Sequence, residues 1–579
     1  MKKSLIALLM TRSLLMLMLM LLGMVKSTKA QTLNEGELKQ LEGYYQFRAN
    51  KESYLQISVV GKQLKLTQLW DSKTLLFNQQ QGLNFTASDN PTFTLMFTKD
   101  SLQNINTVVV FGKDIWDKRP DYRPLPEITL SAQEQAIVKR ALQDKMQTYV
   151  AAVSVAQPNL LAKFVKDQLP EKLQETNQIP HIYKSTGGVT LYKEIVFQPG
   201  KRRAVYLLKG KVLNNFFELS LALDAQNKIK EMEVYEVRVP EYPVQKFKDQ
   251  ATLVASLRAT AEALSRTDIF SGTILLAKND QILFTYACGD AIKAKGTKNN
   301  INTLFNIGSM NKMFTATAIM QLVDKGSVKL DDPISKYMDT TWLPQVILDK
   351  VTIHHLLSHS SGLGDFFREA YDKLLYGKIN QLKDFKPYIK ERQLAFEPGT
   401  DWAYSNAGMI WLGLVIEKVS GQDYFEYVKQ YIYKPSGMKY TDRYDLATPP
   451  ANIAIGYIPQ ADGTYKDNTS GSGNRGSSAG GGYSTVADLY QFALALFNNK
   501  LVSESSKKLL FTDYMNKGYG YGFQLRTTAL GKVVGHSGGA PGINAVSFST
   551  LDQGYHIVVL SNYDRAAQRV GDYILQLIQ

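Results

Sequence analysis

The 579-residue sequence predicts an α+β fold: an antiparallel sheet flanked by helices, with a separate helical lobe, behind two smaller modules. Three observations predict it. From about residue 250 the chain opens on an amphipathic helix, "ATLVASLRATAEALSR", and the hairpin "SGTILLAKNDQILFTYACGD". It closes on a second hairpin, "NAVSFSTLDQGYHIVVLSN", and the helix "DRAAQRVGDYILQLI". Between these ends the apolar spacing is mostly helical, broken by loops rich in Gly and Ser. A sheet assembled from both ends of one segment, with helices inserted between, leaves a cleft where the two lobes meet.

The elements in front of it can be taken in chain order. Residues 1–30 read as a signal peptide. Lys2, Lys3 and Arg12 precede the apolar run Leu14 to Val25, and Thr28-Lys29-Ala30 supplies small residues at the cleavage spacing. That run is shorter than the roughly 20 residues a membrane-spanning helix needs, so an exported, periplasmic or secreted protein without a stable span is expected. Residues 31–128 read as a small β-rich domain: "YLQISVVGKQLKLTQL" alternates as a hairpin turning at Gly61-Lys62, and "FTLMF" and "TVVVFG" add strands. Residues 129–245 read as an α+β accessory module, one helix followed by four strand-like runs. Proline-bearing stretches at Asp117 to Glu127 and Val239 to Phe247 read as linkers, and 250–579 is the third domain. Neither small module carries an acid/base or metal constellation.

The formal net charge is +14, of which the first thirty residues supply five, leaving +9. The basic residues are scattered, without a dense run or a nucleic-acid motif, which excludes a nucleic-acid partner. Cys288 is the single cysteine, so an intrachain disulfide is impossible and the core must carry the stability.

The chemistry concentrates after residue 300. The stretch "VVGHSGGAPG" contains G-x-S-x-G around Ser537, the pattern of a nucleophile elbow. An elbow needs a helix directly after its serine and an acid and a histidine further on. Here "GAPGINAVSF" cannot begin a helix, and the 42 residues that remain carry one histidine, His556, inside an expected strand. Ser309-Met310-Asn311-Lys312 is the better nucleophile. It is S-x-x-K at the start of a strongly apolar helix, which puts Ser309 and Lys312 on one face. A lysine kept neutral by burial can take the hydroxyl proton, and helix-terminal N–H groups can stabilise an oxyanion. Tyr404-Ser405-Asn406 follows a Pro-Gly loop: the phenol can relay a proton, and the Asn406 amide can hold a substrate carbonyl. In His536-Ser537-Gly538-Gly539 a glycine turn lets backbone approach the substrate, and the Gly539 N–H can complete the oxyanion hole. His355 and His359 stand four apart with His354 adjacent and Asp365 as a loose further donor. Without a glutamate between them no metal is assigned, and no cofactor is expected.

With these three motifs, and with "TIHHLLSHSSGL", "FEPGTDWAYSN" and "SSAGGGYSTVADLYQFALAL" between them, the segment from about 251 to 579 resembles the serine β-lactamase/penicillin-binding-protein-like hydrolases. The likeness is to the class C β-lactamase-related branch of DD-peptidases, D-aminopeptidases and esterases. The resemblance implies a β-lactamase/transpeptidase-like fold with Ser309 as the acylated nucleophile and Lys312 and Tyr404 as the proton-transfer pair. It implies Asn406, His536, Ser537 and Gly538 as substrate-binding residues, and the amides of Ser309 and Gly539 as the oxyanion hole. Which of Lys312 and Tyr404 takes the first proton stays open at this point. Many β-lactamases carry Lys-Thr-Gly where this chain has His536-Ser537-Gly538. A largely neutral histidine grips a substrate carboxylate less firmly, so peptide, amide or ester substrates, cell-wall peptide among them, are favoured over β-lactams. His536→Lys is then expected to favour carboxylate-bearing substrates. The alternatives are a class C-like β-lactamase, or a penicillin- or peptidoglycan-binding module with little turnover. The sequence leaves the oligomeric state open.

Overall fold

The structure is a computed structural model. It describes residues 32–579 apart from 50, 52, 70–73, 89–92, 125–127, 155–157, 175–181, 183–185, 214, 238–246, 367–378, 391–392, 445–447, 461–463 and 470–475. The leader expected at 1–30 and most of the linker expected from Val239 to Phe247 lie outside the described residues. Two compact units divide the chain, Met1–Glu127 and Ile128–Gln579.

In the first unit, α1 (Glu35–Lys39) precedes eight antiparallel strands: β1 (Gly43–Phe47), β2 (Tyr54–Val60), β3 (Gln63–Gln68), β4 (Thr74–Gln81), β5 (Asn84–Ala87), β6 (Thr94–Lys99), β7 (Ile105–Val110) and β8 (Asp114–Lys118). They close into a barrel, because β1 pairs with β8 through Tyr45↔Lys118 and Phe47↔Trp116. Closure leaves neither terminal strand as an open edge. Alternate side chains point inward, and Tyr45, Leu64, Phe77, Phe85, Leu95 and Val108 fill the interior. The turn expected at Gly61-Lys62 joins β2 to β3, with Gly61 in the left-handed region at φ +62°.

The second unit opens with α2 (Ala132–Val153), capped by a reciprocal Ser131–Glu134 pair, and α3 (Pro158–Gln168). Both pack on a four-stranded antiparallel meander, β9 (Val189–Gln198), β10 (Arg203–Gly210), β11 (Phe216–Leu223) and β12 (Ile229–Val237). Apolar packing and an ion pair tie this module to the C-terminal domain. Leu213 enters the core formed by Leu253, Leu257 and Ile574, and Arg569 pairs with Glu236 at 3.9 Å.

The main sheet has six strands in the order β14–β13–β18–β17–β16–β15. They are β13 (Gly272–Lys278), β14 (Gln281–Cys288), β15 (Gln524–Thr528), β16 (Gly531–Ala540), β17 (Ile543–Thr550) and β18 (Tyr555–Ser561). The early hairpin pairs with the last strand, Gly272↔Ser561 through Lys278↔Tyr555, so both ends of the segment build one sheet. Ile557 and Val559 face one way, onto α4 (Gln250–Arg266) and the C-terminal helix Ala566–Leu577. Val558 and Leu560 face the other, onto the inserted helical lobe with α5 (Asn311–Asp324), α6 (Asn406–Ser420) and α7 (Val486–Phe497). One expectation is corrected here. "GHSGG" is not a glycine turn: it lies inside β16, paired with β17 from Val533↔Thr550 to Ala540↔Ile543, and the chain reverses only at Pro541-Gly542. Pairing with β17 holds these glycines in an extended strand, which local composition alone reads as a loop.

Candidate active site

Ser309 stands in a short 3₁₀ turn, Gly308–Met310, that leads into α5. Two glycines make the position possible. Gly308 adopts φ +50°, and a Cβ at Gly538 would sit 1.9 Å from the Ile307 carbonyl oxygen and 3.1 Å from the Ser309 nitrogen. The backbone of β16 thereby runs against the serine turn, and the Gly539 amide nitrogen lies 3.0 Å from where a Gly308 Cβ would be. Gly538→Ala is expected to push these segments apart and cost on the order of 100-fold in turnover, the effect of losing an oxyanion donor. Wild-type turnover by the folded variant would place the oxyanion donors elsewhere.

α5 is buried from Asn311 to Leu322, not on one stripe alone, so Lys312 has no exposed surface. Its Nζ lies 3.1 Å from Ser309 Oγ, donates to Asn406 Oδ1 at 2.7 Å and to the Ala479 carbonyl, and sits 4.7 Å above the Tyr404 ring. Burial pushes the ammonium down to about 7, against an opposing pull from Asp365. Burial pushes the Tyr404 phenol up, although its hydrogen bond to Ser309 works the other way. The phenol therefore keeps its proton across the neutral range.

Ser405 is the N-cap of α6, and its Oγ accepts from the Gly408 amide. Asn406, expected to orient the substrate, is 8 % exposed, its Oδ1 accepting from Lys312 and its Nδ2 donating to Asp365 Oδ2 at 2.7 Å. His536, expected to face the substrate, is also inside. It is 1 % exposed, with Nε2 3.0 Å from the Tyr519 hydroxyl and Nδ1 2.6 Å from the Ser537 carbonyl, and burial lowers it to about 3. His536→Lys would set a second ammonium in this dry space beside Lys312. The expected result is a lower melting point and lower turnover on neutral and carboxylate-bearing substrates alike. Retained stability with a preference for carboxylates would instead place this position at the substrate. Ser537, half-buried, is paired with Gln524, Oγ to Nε2 at 3.1 Å.

His355 and His359 do not share a helix. The helix ends at Leu357, and His359 follows at φ +58°. His355 Nδ1 accepts from the Thr352 amide, closing a helix cap, whereas His359 Nδ1 accepts from the Ser405 amide at 3.2 Å and its ring lies 4.5 Å from that of Tyr404. Among the described residues no three His, Cys, Asp or Glu side chains gather as a metal site. Sequence reasoning missed the Ala479 carbonyl and Tyr519, and read Asp365 only as a loose metal donor. A backbone carbonyl carries no side-chain signal, and Asp365 acts through a pairing that only folding makes.

The serine, buried lysine and tyrosine under a six-stranded antiparallel sheet define a serine hydrolase of the β-lactamase/transpeptidase-like fold. The chain belongs to the β-lactamase family, whose profile matches residues 248–578. It is similar to penicillin-binding protein 4* of Bacillus subtilis, 30 % identical over 351 residues that cover 55 % of this chain and 75 % of that protein. It is also similar to esterase EstB of Burkholderia gladioli, 34 % identical over 226 residues, 36 % of this chain and 56 % of that one. Among solved structures, a penicillin-binding protein from Bacillus halodurans matches with a TM-score of 0.51 at 33 % identity, covering 57 % of this chain and all of that one. An octameric penicillin-binding protein homologue from Pyrococcus abyssi matches with a TM-score of 0.50 at 27 % identity, over 56 % of this chain and 77 % of that one.

Proposed function

We propose that this chain is an exported serine hydrolase that acts through an acyl-enzyme on Ser309, taking a peptide, amide or ester substrate. One observation carries the reading: the buried Lys312 amine touches Ser309 Oγ while Asn406 and Ala479 occupy its other contacts. A neutral amine has two N–H groups and one lone pair. With the N–H groups on Asn406 Oδ1 and the Ala479 carbonyl, the lone pair falls on the serine hydroxyl, and Lys312 is the base.

Ser309 Oγ attacks the substrate carbonyl as its proton passes to Lys312. The oxyanion is held by the Ser309 and Gly539 amides. Tyr404, still protonated and bonded to Ser309, hands a proton to the leaving nitrogen or oxygen and is reprotonated from Lys312. Water then repeats the attack on the acyl-enzyme. The likeness to an esterase and to penicillin-binding proteins supports this substrate range, cell-wall peptide included. The uncharged, internally bonded His536 supports neutral amides and esters over β-lactams, whose carboxylate it cannot pair. Export rests on the basic, apolar and small-residue sequence of 1–30.

Turnover of short acyl esters and D-amino-acid peptides set beside nitrocefin tests the substrate. The reading expects ester or amide turnover to dominate, and nitrocefin as the sole substrate would reject it. The N-terminus of the protein recovered from outside the cytoplasm tests export, and an intact Met1 there would reject signal cleavage.

A further inference from the structure

Three successive carbonyls on the far side of the site, Ser477, Ser478 and Ala479, are each taken by a side chain of α5. Asn311 Nδ2 donates to the Ser477 carbonyl, Thr315 Oγ1 donates to the Ser478 carbonyl at 2.7 Å, and Lys312 Nζ donates to that of Ala479. Tyr424, 1 % exposed, joins the first two: its hydroxyl lies 3.4 Å from Asn311 Nδ2 and 2.6 Å from Thr315 Oγ1. The proton count admits one consistent direction. Thr315 has a single proton, and of its two carbonyl neighbours Ser478 is at 2.7 Å and Asn311 at 3.4 Å, so the proton goes to Ser478, Thr315 accepts from Tyr424, and Tyr424 accepts from Asn311. The relay runs Asn311, Tyr424, Thr315, Ser478 carbonyl. Thr315 is fully buried, so its hydroxyl has no water as an alternative partner.

We propose that Thr315 and Tyr424 are positioning residues for the reaction: they lock the 477–479 strip so that the Ala479 carbonyl aims the Lys312 amine at Ser309. The strip carries no reacting atom, and neither Thr315 nor Tyr424 touches Ser309. Their effect reaches the chemistry through one carbonyl. On the other side the same strip continues into Gly480, whose Cβ position lies 3.5 Å from the Ser309 nitrogen, and Gly481, whose amide donates to the Gly308 carbonyl at 3.0 Å. Movement of 477–479 therefore shifts the base and the nucleophile's turn together.

The inference rests on the acyl-enzyme reading, and its test separates the two. The rate of fluorophosphonate labelling of the full chain is measured against pH for wild type, Thr315→Val, Thr315→Ser and Tyr424→Phe, with the labelled peptide mapped. Thr315→Val keeps the shape and removes the hydroxyl. Labelling is expected to slow about 10-fold, as for a base displaced by a fraction of an ångström. The acid limb should move to lower pH, because a receding carbonyl dipole no longer favours the ammonium. The other groups around Lys312, namely Asp365, Tyr404, His359 and His536, are untouched by the substitution. Thr315→Ser should restore both readouts, and Tyr424→Phe should shift them in the direction of Thr315→Val. Should Thr315→Val fail to fold, Tyr424→Phe carries the test. A variant that melts lower but labels at the wild-type rate, with an unmoved acid limb, reduces these residues to structural support and overturns the inference. Wild type labelled anywhere but Ser309 rejects the acyl-enzyme reading itself.

Discussion

Ser309→Ala is expected to abolish covalent labelling by a fluorophosphonate and to lower turnover by at least about 10⁴-fold, as loss of a nucleophile does. Ser537→Ala is expected to remain labelled and active. The two serines differ in what surrounds them. Ser309 Oγ has a proton-transfer group on either side: a buried lysine amine at 3.1 Å and the Tyr404 hydroxyl. Ser537 Oγ is bonded to the Gln524 amide, which is no base. Its neighbour His536 belongs to the opposite face of β16, since successive strand residues alternate, and both its ring nitrogens are engaged with Tyr519 and backbone. Peptide mapping of the labelled protein decides the matter, and label on Ser537 would reverse the assignment.

The second large effect is in the pH dependence and its source. The value of kcat/KM is expected to rise with pH through about 7 and then stay level. Below that value Lys312 is an ammonium with no lone pair to offer; above it the neutral amine dominates. The direction follows from burial lowering a cation's pKa, so activity is lost on acidification. Tyr404, the proton donor to the leaving group, adds no alkaline fall in the neutral range, because its phenol is held protonated by the same burial. Tyr404→Phe should cost on the order of 100-fold and keep the limb near 7, whereas Lys312→Ala should cost at least as much and flatten the limb. A limb that vanishes in Tyr404→Phe but persists in Lys312→Ala would make the tyrosine the first base.

Much of this was legible from local pattern. The hairpins at both ends of the main domain, the helix after Ser309, the barrel's Gly61-Lys62 turn and the four strands behind Ala132–Val153 arise from alternation, period and turn residues, which act over a few residues. The spacing of Ser309 and Lys312 is likewise a property of one helical turn, and it put both groups on one face before any packing was known.

What the tertiary structure decided are the contacts between segments distant in sequence. Closure of the barrel depends on β1 meeting β8, and the placement of "GHSGG" inside a strand depends on β17 lying beside it. The surroundings of Asn406 and His536 depend on Asp365 and Tyr519 arriving next to them, which buries both side chains and bonds each of them internally. Lys312 shows the division most clearly. Its sequence position determined that it would face Ser309, but its proton affinity was settled by the loops around Ala479, Tyr404 and Asp365 that strip it of water. Periodicity encodes which face of an element is apolar; desolvation is the sum of everything that packs on that face, and the chain specifies that sum only by folding.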